Sequence, residues 1–255
     1  MVEWWCREAH MGNTCRIMER DSGFMKKFIP KMAVVASLCS AAGFLLYRRF
    51  EDLYRLGQLG SLRRILKREM GVEKSARIVD GVERHYEEIS ARWPATLRGI
   101  MRLHRIFLIM AFAIYKALVD EFGGDEDIPR MAERLVWESG PTCKRPTELF
   151  FKLFFVGSKD PFARFAPFAK RFIDFMYPCP LYAIEYVEEE GVVGFDYVKC
   201  PYPRFYEEHG MEVFGRALCQ LDFRWAELLP PQIGMRREHT LSEGADKCDF
   251  RLYRK

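Results

Sequence analysis

Residues 181–200 read LYAIEYVEEEGVVGFDYVKC, a stretch rich in β-branched and aromatic residues. With Gly191 near its middle, this composition predicts two β-strands joined by a tight turn. Two more strands are predicted over 235–241 and 247–253, with turn residues at 242–246 between them. We therefore expect an antiparallel sheet in the last third of the chain.

The chain before this stretch has the spacing of helices instead. Apolar residues recur every three or four positions over 50–71, over 73–120 and over 129–138. Phenylalanines with the same spacing over 150–177 predict an aromatic helix face, which either packs in the core or walls an apolar pocket. A last helical stretch covers 203–229. Helices first and a hairpin-rich sheet last predict an α+β fold, an N-terminal helical bundle packed on a C-terminal antiparallel sheet.

Composition excludes several classes of protein. A chain of 255 residues with 49% hydrophobic and 30% charged residues is neither disordered nor collagen-like, and it is too long for a small disulfide-stapled module. The net charge of +4 is far from that of a dedicated nucleic-acid binder, so we expect no nucleic-acid partner.

The absence of several known motifs excludes the types of active site that depend on them. The eight cysteines include no C-x-x-C pair, so we expect reduced thiols and no zinc site. There is no dinucleotide-binding glycine motif, P-loop, G-x-S-x-G or H-E-x-x-H. We therefore expect neither a cofactor nor a metal.

A possible anchor lies in the leader, residues 1–49, ahead of the predicted single α+β domain, residues 50–255. The uncharged run 32–47 would cover ~24 Å as a helix, less than a bilayer core of ~30 Å. Snorkelling of Lys31 would extend the span to 28–47, which predicts a membrane anchor. A buried core helix is the alternative. The slight excess of arginines after the run predicts a membrane-anchored protein with its main domain facing the cytosol, and a cytoplasmic protein is the alternative.

Reactive side chains concentrate at the end of the chain. The candidates for catalysis are Cys200, Cys219, Asp222, His239 and Cys248. A thiolate is a strong nucleophile, and a carboxylate or imidazole can transfer protons near neutral pH. Cys219 and Asp222 are three residues apart, so they are expected to share a helix face. If the sheet packs on that helix, the five groups could meet in one cleft.

Each candidate also has a structural interpretation that stays open. A lone cysteine often only fills space in a core. Asp222 could pair with Arg216 or Arg224, and His239 could be a solvated strand residue. A buried or surface role is likewise the expectation for His104, because no second ligand type lies one helical turn away.

A resemblance to a known family rests on a spaced series of residues. In chain order they are Glu185, Tyr186, Val187, Gly194, Phe195, Asp196, Cys200, Pro201, Tyr202, Phe205, Gly210, Cys219, Asp222, Pro231, Arg237, Thr240, Leu241, Gly244, Cys248, Asp249, Phe250 and Arg251. Together with the helix segment 113–118, this series resembles the L-2-amino-thiazoline-4-carboxylic acid hydrolase family over residues 75–254. The leader and Ala245 depart from the family pattern.

The resemblance implies hydrolytic opening of a cyclic amidine, the thiazoline ring, to a carbamoyl-cysteine. It places Cys200, Cys219, Asp222 and Cys248 at motif positions. The candidates for substrate binding are Tyr202, Arg237, Asp249 and Arg251, and either arginine could hold a substrate carboxylate through a bidentate contact.

The predicted function is therefore hydrolysis of a C–N bond in a small heterocyclic substrate. The departures from the pattern suggest a different substrate, such as an imine, lactam or hydrazone of secondary metabolism. The alternatives are ring closure or rearrangement by the same fold, and a non-catalytic membrane-associated protein that only binds a ligand. An accessible cysteine of low pKa would favour catalysis, and three inert buried thiols would favour binding.

Overall fold

The computed structural model describes residues 49–92, 99–140 and 144–255. Within these ranges the helices are α1 (Phe50–Met70), α2 (Val72–Arg92), α3 (Ile100–Phe122), α4 (Ile128–Ser139), α5 (Lys144–Phe155), α6 (Pro161–Met176), α7 (Pro201–Glu207), α8 (Glu212–Leu218) and α9 (Leu221–Ala226). The strands are β1 (Ala183–Glu189), β2 (Val192–Lys199), β3 (Ile233–Arg236) and β4 (Cys248–Arg254). The predicted α+β class, helices before sheet, is confirmed.

The first of two cores is built around α3, the most apolar of the long helices. Ile106, Ile109 and Ile114 of α3 are fully buried among α1, α2 and α4. Close packing of α2 on α3 depends on Gly81, because a Cβ there would lie 3.1 Å from Cβ of Ala117. Helices α7 and α8 complete this core. The predicted central buried helix is therefore present.

The sheet is antiparallel in the order β1-β2-β4-β3. Strands β1 and β2 form the predicted hairpin, which turns at Gly191 with a φ of 71°. Strand β3 is shorter than predicted and ends at Arg236. It ends there because the next free backbone N–H groups, those of Glu238 and His239, donate to the side chain of Asp249 instead of to a strand.

The second core lies between the sheet and the aromatic helices. Phe151, Phe162 and Phe165 pack with Phe195 and Phe250 from the sheet, which confirms the core role predicted for much of the aromatic face. The predicted continuous stretch is two helices, since the chain turns at Gly157 (φ 70°) and the side chain of Asp160 accepts the N–H of Ala163 at 3.0 Å to start α6.

The region predicted as one interrupted helix is three short helices. The break near Gly210, which has a φ of 64°, is present. A second, unexpected break separates α8 from α9, where Gln220 lies between the two helices.

The predicted membrane-anchored localisation has to be corrected. In the part of the chain that the structure describes, no helix has the length and apolar character needed to cross a bilayer. The predicted anchor itself, residues 28–47, lies outside the described residues. The division into a leader and a single domain stays a prediction.

Candidate active site

The candidate site lies where the two cores meet. Tyr202 packs against both cores, and it lies two residues after Cys200, which links β2 to α7. Cys219 ends α8, Asp222 lies in the first turn of α9, and Cys248 begins β4. Four separate segments of the chain thus contribute to one region.

Electrostatic interactions show that these residues are neighbours. Burial raises the pKa of Cys200 well above its ordinary value, and the nearby Cys219, Cys248 and Asp222 raise it further. The structure therefore brings together the four family-motif residues. The sequence suggested that Cys219 and Asp222 share one helix face, but in the structure they do not belong to the same helix. They are adjacent because the chain bends between α8 and α9.

Arg237 links the parts of this site. Its Nη1 atom donates to Oδ2 of Asp222 at 2.5 Å and to the carbonyl oxygen of Cys219 at 3.1 Å. Its guanidinium group lies over the rings of Phe223 and Phe250, with the Cζ atom 4.8 and 5.3 Å from the ring centroids. The Arg237 side chain is only 2% exposed.

The arginines considered as partners of Asp222 in the sequence do not fill that role. Arg224 instead donates to both carboxylate oxygens of Glu133, at 2.5 and 2.9 Å. The difference arises because α9 turns Asp222 towards Arg237, which the sequence places far away in the chain.

Asp222 combines access to solvent with a strongly perturbed pKa. Its side chain is 42% exposed, yet burial raises its pKa to about 6, against the opposing effect of Arg237. The partly exposed carboxyl group of Asp222 and the thiols of Cys200, Cys219 and Cys248 beside it form the cluster that we call the recess. Its Oδ1 atom makes no hydrogen bond to the described residues. The group can therefore transfer protons near neutral pH.

The three thiols of the site hold their protons firmly. Burial, followed by the charge of Asp222, raises the pKa of Cys219 to about 12, although a hydrogen bond from Ser242 and the charge of Arg237 oppose the shift. Burial also raises the pKa of Cys248, despite the N–H of Leu241 that its sulfur accepts at 3.2 Å. At neutral pH all three are thiols rather than thiolates.

The expectation of reduced cysteines holds for only part of the described chain. Cys200, Cys219 and Cys248 are free. Cys179 is disulfide-bonded, so the prediction of a reduced thiol was wrong there. Local spacing contains no signal for this bond, because it depends on which segments the fold brings together.

A wall of tyrosines borders the thiols, and sequence reasoning missed most of it. Three tyrosines lie close to Cys200: Tyr177, Tyr182 and Tyr197. Burial raises the pKa of each phenol, and the charge of a Cys200 thiolate would raise it further. Tyr197 lies two residues after Phe195, and both side chains are on the inward face of β2. This alternation was the signal that could have identified it.

His104 holds the edge of this wall. Its Nε2 lies 2.6 Å from the carbonyl oxygen of Met176, which can only accept, so Nε2 carries the proton and Nδ1 accepts from Tyr202 at 2.8 Å. The hydroxyl of Tyr182 is 3.1 Å from the same Nδ1. Burial lowers the pKa of His104 to about 4, so it is neutral. The interpretation of His104 as a packed histidine agrees with these contacts.

The remaining predicted residues lie on the opposite face of the sheet. In β4, Cys248 and Phe250 point into the core, so Asp249 and Arg251 point outwards. Asp249 accepts the backbone N–H groups of Glu238 and His239 at 2.9 and 2.6 Å. Asp249 and Arg251 therefore face away from the thiols, and His239 pairs with Asp249, although Asp249 follows Cys248 in the chain and its charge contributes to the raised pKa of that thiol.

The outward groups have polar partners of their own. Nδ1 of His239 lies 3.1 Å from Oδ2 of Asp249. Burial raises the pKa of Asp249, but the hydrogen bonds from His239 and from the backbone outweigh it and lower that pKa to about 2. Arg251 donates to Asp196 at 2.7 Å.

One group among the described residues could hold a metal ion. Glu238, His239 and Asp249 each offer a ligand atom, and these atoms lie within 4.8 Å of one another. One oxygen of Asp249 already accepts two backbone N–H groups, which leaves its other oxygen for a ligand role.

Fold and site together define an α+β protein in which an aspartate and three thiols cluster where a helical core meets a sheet. Residues 101–252 match the model of the L-2-amino-thiazoline-4-carboxylic acid hydrolase family. The match covers more than half of the chain and contains every residue of the recess, and the chain belongs to this family. No curated protein gives a significant match.

Two solved structures show a distant likeness. One is an H-NOX protein from S. oneidensis, a triple mutant in the Fe(II) ligation state, with 12% identity and a TM-score of 0.36. The other is the Fe(II) unliganded H-NOX protein from K. algicida, with 12% identity and a TM-score of 0.30. Each alignment covers 78% of this chain and 95% of the other. At these TM-scores the likeness carries no argument.

Proposed function

We propose that the protein hydrolyses a C–N bond in a small cyclic amidine or imine, with Asp222 as the proton-transfer group. The family's name supports hydrolysis of a thiazoline. The observation that carries the proposal is the carboxyl group of Asp222, which has a pKa of about 6 and a free Oδ1 atom in a recess. Such a group can act as a base and as an acid in one cycle at neutral pH.

The reaction needs one water molecule. First, the Asp222 carboxylate removes a proton from water while the oxygen bonds to the C=N carbon, and the nitrogen takes the electron pair and then that proton. Next, Asp222 accepts the new hydroxyl proton as the C=O bond forms. The C–N bond breaks with its electron pair on nitrogen, which receives the proton, and Asp222 is again a carboxylate.

Water is a better candidate for the nucleophile than a cysteine of the site. A pKa of about 12 leaves very little Cys219 thiolate at neutral pH. In this proposal Cys200 and Cys219 shape the recess beside Asp222, and Tyr202 contributes a ring held in place by its bond to His104. Ring closure of a related biosynthetic intermediate would be the same steps in reverse.

The test is turnover by the full chain of 2-amino-thiazoline-4-carboxylate and of a set of cyclic amidines and imines. Mass spectrometry would detect a ring-opened product heavier by one water. Asp222→Asn should reduce kcat/KM by at least ~100-fold, the scale for removing a proton-transfer group. The matched control is Asp160→Asn, which changes an aspartate that pairs with Arg254 away from the recess. Equal turnover by Asp222→Asn and the wild type would contradict the proposal.

A second candidate function is binding of such a heterocycle without turnover. The raised pKa values of Cys200, Cys219 and Cys248 favour it, since none of the three is primed as a nucleophile. Calorimetric binding of an amidine that the protein leaves intact over hours would support this candidate over the hydrolase.

A further inference from the structure

The contacts of Arg237 differ from those expected of a substrate-binding arginine. Both of its recorded hydrogen bonds come from one atom, Nη1, which donates to Asp222 and to the carbonyl oxygen of Cys219. One bond reaches the side chain of Asp222 in α9, and the other reaches the residue that directly follows α8. The arginine therefore spans the unexpected break between these two helices.

The surroundings of Arg237 also separate it from a ligand. Its side chain is 2% exposed, whereas that of its partner Asp222 is 42% exposed. Its guanidinium group is covered by Phe223 and Phe250. Its Nε atom is buried and has no hydrogen-bond partner among the described residues. A substrate beside these residues would therefore contact the partly exposed carboxyl group of Asp222 rather than the buried guanidinium group.

We propose that Arg237 is a positioning residue: it holds Oδ2 of Asp222, leaves Oδ1 to transfer protons, and sets the pH at which that oxygen gains a proton. This inference rests on the proposed function, because it assigns the proton transfer to Asp222. It replaces the expectation that Arg237 binds a substrate carboxylate.

The charge of Arg237 dominates the surroundings of Asp222. The titratable and charged groups that interact with Asp222 are Arg237, Cys200, Cys219, Cys248, Tyr177 and Tyr197. The thiols and phenols in this set have raised pKa values and are neutral at pH 6 to 7. Arg237 is therefore the charged member, and an opposite charge in direct contact lowers a carboxyl pKa by roughly one to three units. Loss of this charge must raise the pKa of Asp222.

The experiment compares Arg237→Met with Arg237→Lys. Across a pH series, kcat/KM of the wild type should fall on the acidic side near pH 6. In Arg237→Met this acidic limb should move up by about one pH unit or more, so that activity lost at pH 7 returns at higher pH. Arg237→Lys keeps the charge, so its limb should stay closer to that of the wild type.

The matched control is Arg254→Met. Arg254 also pairs with an aspartate, Asp160, and also lies over a phenylalanine ring, that of Phe162, but it is outside the recess. Its removal should leave the acidic limb in place. Circular dichroism would establish that each variant is folded. If Arg237→Met does not fold, Arg237→Gln makes the same test, because it removes the charge and keeps a hydrogen-bond donor.

A readout without substrate keeps this inference separate from the proposed function. The carboxyl carbon of Asp222, identified by its loss in Asp222→Asn, can be titrated by 13C NMR in the wild type and in Arg237→Met. A raised pKa in the variant supports the positioning role even if no amidine is turned over, in which case the proposed function alone fails. An unchanged pKa overturns the inference, and so does a rise in KM with an unmoved acidic limb, which would identify Arg237 as a substrate contact.

Discussion

Two aspartates on opposite sides of the sheet differ in proton affinity: Asp222 of α9 and Asp249 of β4. On the inner side, burial raises the pKa of Asp222 to about 6 in spite of Arg237. On the outer side, burial acts in the same direction on Asp249, yet its pKa falls to about 2. The difference lies in the hydrogen bonds. Asp249 accepts two backbone N–H groups and faces His239, whereas Asp222 has one partner and a free oxygen.

This comparison explains why the two carboxylates suit different tasks. Asp249 is charged at neutral pH and fixes the backbone after β3. Asp222 is left under-partnered, which destabilises its charge and keeps its proton exchangeable near neutral pH. A fully satisfied carboxylate stabilises a fold, and an incompletely satisfied one is available for chemistry.

The largest expected effect concerns the thiols on the inner side. Because burial and Asp222 raise the pKa of Cys219 to about 12, its alkylation in the folded protein should be at least ~100-fold slower than in the unfolded chain. Iodoacetamide labelling at pH 7.5 followed by peptide mapping would measure this, with the same protein in urea as the reference. Rapid labelling of Cys219 in the folded protein would instead identify an activated thiolate and count against binding without turnover.

The next effect is on stability at the outer side. The pKa of Asp249 falls from 3.8 to about 2 on folding, and its side chain is 16% exposed. The charged form therefore adds about 2 kcal/mol to the free energy of unfolding above pH 5, which is lost as the pH falls from about 4 to 2. Urea unfolding of Asp249→Asn should show a loss of this size at pH 7 and a shrinking difference in acid. A pH-independent loss would point to packing rather than charge.

The smallest expected effect has the opposite sign and concerns Asp222. Its pKa is raised on folding, so its charge opposes folding fully above about pH 6 and not at all below about pH 4. Allowing for solvent screening of a side chain that is 42% exposed, the penalty is about 1 kcal/mol. Asp222→Asn should thus be as stable as the wild type or slightly more stable at pH 7, although it loses turnover.

Urea unfolding at pH 7 and pH 4 would measure the difference between Asp222→Asn and the wild type. A clear loss of stability at pH 7 would mean that the pair with Arg237 holds the fold together. The contrast between the two faces of the sheet would then fail.

Much of the fold was predictable because its signals are local. The β1–β2 hairpin follows from the β-branched and aromatic residues on either side of Gly191, and α3 follows from its apolar run. The early end of β3 was not predictable, because it depends on Asp249 of β4. The side chain of Asp249 accepts the backbone N–H groups of Glu238 and His239, which lie ten or eleven residues before it. The break between α8 and α9 was missed for a similar reason, since Arg237 spans it from outside.

The candidate site was predictable in its residues but not in its arrangement. The family series contains Cys200, Cys219, Asp222 and Cys248, and these four residues meet in the recess. The concentration of reactive groups late in the chain also suggested His239, and the series contained Asp249. Strand alternation turns Asp249 away from the thiols, and His239 pairs with it there. Among the tyrosines around Cys200, only Tyr197 had a signal in the sequence, which is its inward position in the alternation of β2.

By itself, the amino-acid sequence determined the order of helices and strands, the family, and which reactive side chains stand at the motif positions. These properties depend on the periodicity and spacing of residues close in the chain. Only the tertiary structure decided which side of the sheet each group occupies, which arginine faces Asp222, and that the thiols stay protonated. Hydration, hydrogen bonding and electrostatic potential arise from groups far apart in sequence, so they exist only once the two cores have packed together.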